Sequence, residues 1–140
     1  MDAAALLALY RACHYAVRVP GGHSRAVLRI DEPVPGVLCD WLGPATFGAF
    51  VTAHNPRSQP QPAAWNRAAQ RLLLTAIHAA GARALPGAGR IPGQPWREPS
   101  LFVAGLDLAA VDALAQRHAQ NAIVLAWRGG IAQLRTYTLP

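Results

Sequence analysis

From Phe47 onward the chain alternates short apolar runs with two helical stripes, and that order constrains the fold more than any other feature. Residues 47–54 are rich in aromatic and β-branched side chains and read as a central strand. A proline-punctuated loop, 55–62, leads into a long helix over about 63–80. Its expected inward stripe is Trp65, Ala69, Leu72, Leu73, Ala76 and Ile77, with Gly81 as the stop. Residues 83–85 read as a short strand, 86–99 as a Gly/Pro-rich loop and 101–105 as another strand. Asp107 is placed to cap a helix over 108–118, with Leu108, Val111, Leu114 and Ala115 inward. A strand at 122–127, a turn at Gly129-Gly130 and a returning strand at 131–138 complete the chain.

The expected fold is therefore α+β: a single domain over 1–140, built as a two-layer sandwich with a ferredoxin-like β-α-β-β-α-β core in 47–140 and one extra C-terminal strand. Residues 1–46 add a helix (2–13), a hairpin (15–19 with 26–30) and a short helix (36–42). The pattern leaves open whether the hairpin joins the main sheet. Right-handed crossovers make the first and second core strands parallel, with the third antiparallel between them and the fourth beside the first. The end of the first strand then lies near the starts of the third and fourth. Thr52, His54 and Asn55 should meet Glu98, Ser100, Gln120 and Asn121 there, beside the loop that carries Arg90 and Trp96.

Composition narrows the function classes. The net charge of +6 raises nucleic acid as a partner, but all thirteen basic residues are Arg, a bias typical of GC-rich coding. They are scattered from Arg11 to Arg135, with no basic stripe interleaved with aromatics, which weighs against nucleic acid. Cys13 and Cys39 stand alone, without metal-ligand spacing, and read as thiols in a reducing compartment. No apolar stretch reaches membrane-spanning length, and residues 3–9 lack a basic flank, so the expected setting is cytoplasmic. No cofactor, metal or membrane contact is expected. A monomer or homodimer fits.

Thr52-Ala53-His54-Asn55-Pro56-Arg57-Ser58, Asn66, Trp96-Arg97-Glu98-Pro99-Ser100 and Gln120-Asn121-Ala122 together resemble the bacterial family catalogued as domain of unknown function 3293. The resemblance runs from about Tyr10 to Val124. That family often has an aromatic-Gly pair before the Gln, where His118-Ala119 stands here. The resemblance implies a small bacterial protein of unassigned activity and supplies no catalytic residues.

Each candidate has a plain structural alternative. Asn55, Arg57 and Ser58 can cradle an anion, or simply make a turn. Glu98 can act as an acid or base if buried beside Trp96, or pair with Arg57, Arg90 or Arg97. His54 with Glu98 or Ser58 can make a base-assisted nucleophile, although no nucleophile elbow surrounds either serine. Asn66 can pin the preceding loop, and Gln120 and Asn121 can hold the backbone at 98–100. His14, His23, His78 and His118 read as ordinary edge or surface residues. Three readings result, in order: a binding module for a small anionic ligand or peptide, using Thr52, Asn55, Arg57, Ser58, Asn66, Arg90, Trp96, Glu98, Ser100, Gln120 and Asn121; a structural or interaction domain; and a hydrolase or transferase using Glu98 and His54.

Overall fold

The computed structural model describes residues 1–21 and 25–139, so His23 lies outside the described residues. Helix α1 (Ala3–Ala12) starts where the Asp2 carboxylate accepts the Ala5 N–H at 2.8 Å. Strands β1 (His14–Arg18) and β2 (Arg25–Leu28) follow, then α2 (Gly36–Leu42) and β3 (Phe47–Val51). After a 3-10 turn at Pro56–Ser58 come α3 (Ala63–Ala79), β4 (Arg83–Arg90) and β5 (Arg97–Ala104). Asp107 caps α4 (Leu108–Arg117) through the Ala110 N–H at 2.8 Å, and β6 (Ala122–Trp127) and β7 (Ala132–Thr136) form the last hairpin.

All seven strands make one antiparallel-paired sheet in the order β2-β1-β4-β5-β3-β6-β7. Both β3 and β4 run antiparallel to β5, and β6 pairs with β3. The N-terminal hairpin joins the sheet directly, with His14 opposite Arg90 and Val17 opposite Gly87. The sheet is curled so far that the chain leaving β2 meets the other edge, Ile30 bridging Ala132 and Pro33 bridging Ile131.

Alternation along each strand serves two apolar clusters. The convex face buries Ala49, Val51, Leu101, Val103 and Leu125 against Leu73 and Ile77 of α3 and Val111 and Ala115 of α4. The concave face encloses Tyr15, Val17, Leu28, Phe50, Phe102 and Val124, with Leu38 and Leu42 of α2 plugging one end. A two-layer sandwich accounts for the first cluster only. Close approach is built in at Gly48, where a Cβ would stand 2.3 Å from the Phe102 ring.

Two expectations need correction. The loop expected over 86–99 is mostly strand: β4 runs to Arg90 and β5 begins at Arg97. Of the four prolines that argued for a loop, the two inside strands, Pro86 and Pro99, sit where no ladder donor is needed. The Pro99 carbonyl points toward β3 and accepts the Thr52 hydroxyl at 2.8 Å, beyond Leu101, the last β5 residue that β3 pairs. Pro86 lies one residue past Gly87, where pairing with β1 ends. The α3 stripe is also rotated: Trp65 and Leu72 are 46% and 67% exposed, whereas Asn66, Ala69, Leu73 and Ile77 are buried. Hydrogen bonds of Asn66 to the preceding loop turn the first helical turn inward on a polar residue.

Candidate functional site

At the end of the concave face opposite α2, the strands and α1 enclose a cavity of about 470 Å³. Leu6, Leu9, Tyr15, Phe50, Val124 and Leu134 give it apolar walls. Glu98 reaches it because β5 alternates: Phe102 and Ala104 belong to the concave cluster, so Glu98 and Ser100 face the same way. Burial pushes the Glu98 carboxyl up to about 7, against the pull of the Asn55 amide, which donates to Oε2 at 3.3 Å. Glu98 has no ion pair with any arginine among the described residues. The expected arginine partners are thus not used.

The rim is a connected polar network. Asn55 Oδ1 accepts the Gln61 N–H at 3.1 Å and Asn66 Nδ2 at 2.8 Å, while Asn66 Oδ1 accepts the Asn55 N–H at 3.0 Å. Asn121 Nδ2 donates to the Ser58 hydroxyl at 3.0 Å. Gln120 Nε2 donates to the carbonyls of His54 and His118 at 3.1 and 3.2 Å. The Ser100 hydroxyl donates to the Glu98 carbonyl at 3.0 Å. Backbone strain gathers here as well. Asn55, Arg57, Ser58 and Ala119 have φ of 46°, 56°, 58° and 52°, and the Arg57 N–H reaches the Ala119 carbonyl at 2.7 Å. Left-handed non-glycine backbone costs about 1–2 kcal/mol per residue and persists where surroundings over-determine it.

The fold brings Thr52, Asn55, Arg57, Ser58, Trp96, Glu98, Ser100, Gln120 and Asn121 to the cavity lining. It keeps Asn66 one step behind, holding Asn55. It sends Arg90 to the opposite face of the sheet, where its register partners are His14 and Arg97. His54 does not line the cavity, and among the described residues no hydrogen bond joins its imidazole to Glu98 or Ser58. The expected base-assisted nucleophile is therefore not assembled, and burial lowers the His54 pKa further.

Sequence reasoning missed the α1 side of the site. Tyr10 stands by Ser58 and Asn121, and burial raises its phenol above the usual range. Cys13 lines the same wall as an inert thiol, pushed up to about 11 by burial. The helical stripe Leu6, Leu9, Tyr10, Cys13 was the available signal, but it looks the same whether it covers a core or a cavity. Gln70 was also missed. It accepts the Ala53 N–H at 2.9 Å and sits one turn after Asn66, a polar i, i+4 pair beside an apolar stripe.

Among the described residues no group of His, Cys, Asp and Glu is placed to hold a metal, and no helix is long and apolar enough to cross a membrane.

The family model described as "Protein of unknown function (DUF3293)" matches residues 51–123, just over half of the 140-residue chain. The chain belongs to this family. The match takes in every polar rim residue from Thr52 to Asn121, while the α1 and β1 walls of the cavity lie outside it. Neither a curated protein nor a solved structure matches the chain.

Proposed function

We propose that this DUF3293 protein is a binding module whose cavity takes a small molecule with an apolar body and a hydrogen-bond-donating head directed at Glu98. The observation that carries this reading is a half-buried carboxyl without a cationic partner among the described residues, at the polar end of an apolar cavity of about 470 Å³. Desolvating an unpaired acid is costly, and a donor from a ligand offsets that cost. The anionic ligand expected from Arg57 and Arg90 loses its geometry, because Arg90 is on the other face and Arg57 is exposed at the rim. The same reading takes the chain as one domain with a ferredoxin-like core, supported by the order β4-β5-β3-β6.

Thermal-shift measurements with apolar amines and amino alcohols, set against carboxylates and phosphates, test it at pH 8. A donor-headed compound at 100 times its Kd adds about 2.7 kcal/mol of stability to the wild type. It should add little to Glu98→Gln. Equal stabilisation of both proteins by carboxylates would remove the role given to Glu98. No shift with any compound would favour an interaction domain instead.

A second reading has its own support. A carboxyl with a pKa about 7, facing a cavity, is poised for acid/base chemistry at neutral pH. Turnover of a bound compound that disappears in Glu98→Gln would establish it.

A further inference from the structure

The apolar cluster beneath α3 and α4 includes no residue of β1 or β2, so that part of the convex face has no helix over it. Ala26, Leu28, Tyr15 and Val17 point into the concave cluster, and alternation sends their neighbours outward. The outward residues fall into register. Arg18 stands opposite Arg25, Ala16 opposite Val27 and Ala88, and His14 opposite Arg90. Arg90 stands opposite Arg97, and Ala88 opposite Pro99. Arg29 Nη1 lies 2.9 Å from His14 Nε2. Two rows, Arg25-Arg18 and Arg29-His14-Arg90-Arg97, therefore flank a floor of small apolar residues; their cations are the five arginines, since burial and its arginine neighbours lower the His14 pKa. His14 and Arg18 are four residues apart on β1, so the rows lie roughly 13 Å apart. Arg18, Arg25 and Arg97 surround a hollow of about 210 Å³ in this floor.

Among the described residues no salt bridge neutralises this face. Among the described residues the salt bridges are Arg11–Asp31 and Arg135–Asp112, and neither involves these five arginines. Glu32 is the carboxylate whose charge reaches His14, and Glu98 points to the opposite face from its neighbour Arg97. Like charges directly opposite on a sheet destabilise it. Arg18–Arg25 and Arg90–Arg97 are two such pairs. Arg29 Nε is buried without a hydrogen-bond partner, a further cost. An anionic partner relieves the two repulsive pairs.

We infer that this face binds the phosphodiester backbone of nucleic acid, without reading base sequence. A single small anion in the hollow reaches Arg18, Arg25 and Arg97 but leaves Arg29 and Arg90 unpaired, whereas a backbone of repeated charges reaches all five. An acidic protein segment would find no pocket for an anchoring side chain, and rim charges alone give on-rate more than affinity. Counterion release, by contrast, turns charges alone into affinity for a polyphosphate. No aromatic side chain stands among the outward residues of these strands, so stacking with unpaired bases is not offered and a duplex is favoured. The arginines look dispersed in sequence, from Arg18 to Arg97, because only the sheet register gathers them.

Fluorescence anisotropy with a labelled duplex of about 20 base pairs tests this, titrated from about 50 mM salt upward. Wild type binds with a log–log salt slope of roughly −3 to −4, nearly the same for unrelated sequences. Arg18→Gln/Arg97→Gln flattens the slope by about 2 and weakens binding roughly tenfold or more. Arg67→Gln/Arg71→Gln, which removes the same charge from the exposed side of α3, leaves binding unchanged. The Tm of Arg18→Gln/Arg97→Gln stays at or above that of wild type, since both repulsive pairs are gone. Absence of binding at about 50 mM salt, equal weakening by both double variants, or a lower Tm for the first would overturn the inference. Competition by a polyglutamate peptide as effective as by unlabelled duplex would overturn the assignment to nucleic acid.

Discussion

The two ends of the concave face are made by the same strands and finish differently. At the α2 end, Leu38, Leu42, Phe102 and Ala126 are wholly excluded from solvent. At the α1 end, Leu9 is 39% and Trp96 42% exposed around an open cavity. All four buried polar residues among those described, Asn66, Ser100, Gln120 and Asn121, belong to the α1 end. So do four of the five non-glycine residues with left-handed backbone among those described, Asn55, Arg57, Ser58 and Ala119. The difference lies in what each helix contributes. α2 inserts a leucine pair into the curl, while α1 lies across its end and leaves Glu98 in reach. One end supplies stability; the other holds polar groups and strain that a well-packed core would not keep.

Substitution can break this contrast. The largest effect is expected at the closed end. Phe102→Ala removes a fully buried ring that fits over Gly48, and should cost about 3–5 kcal/mol by denaturant unfolding. An equal loss from Thr52→Ala at the rim would erase the distinction between the ends.

Next comes Glu98, where the two ends should differ in sign. Its carboxyl sits at about 7 in the fold against an ordinary 4.5, so between those values the folded state holds a proton that the unfolded state has lost. The contribution of Glu98 to stability should therefore fall as pH rises through that window and level off above it, by at most about 3 kcal/mol. Glu98→Gln should lose this slope and be more stable than wild type at pH 8. Urea unfolding of both proteins at pH 5 and 8 would show it. A variant that is less stable at pH 8 would make Glu98 a structural brace instead.

Asn66→Ala should cost about 1–3 kcal/mol, because it strands the Asn55 N–H in a partly buried loop and takes one of two donors from Asn55 Oδ1. It should also weaken any cavity ligand whose binding depends on the Asn55–Glu98 contact. The smallest effect is expected at Ala119, at φ 52°. Ala119→Gly should raise stability by about 0.5–1 kcal/mol, read as a small rise in Tm, because glycine adopts that backbone without Cβ strain.

Much of the molecule was legible in the residues. Asp107 caps the helix it precedes, and Gly81 stops α3 at φ 77°. The pairing of β3 with β5 and β6 follows from crossover handedness, and it brings Asn55 to Glu98 and Gln120 to the His54 backbone. Other features were not legible. Pro86 and Pro99 read as loop signals because a one-dimensional pattern does not show which strand edges lack a partner. Trp65 and Leu72 read as core because hydropathy cannot see that a buried Asn66 sets the helix's rotation.

The sequence by itself determined where the helices begin and which polar segments are drawn to one edge, since caps, turns and side-chain period act over a few residues. The tertiary structure alone decided that the sheet curls until Ile30 meets Ala132, that α1 closes over Glu98, and that arginines from four strands share one uncovered face. Those outcomes depend on twist, register and packing between distant segments, and it is there that a carboxyl is desolvated and like charges are brought side by side.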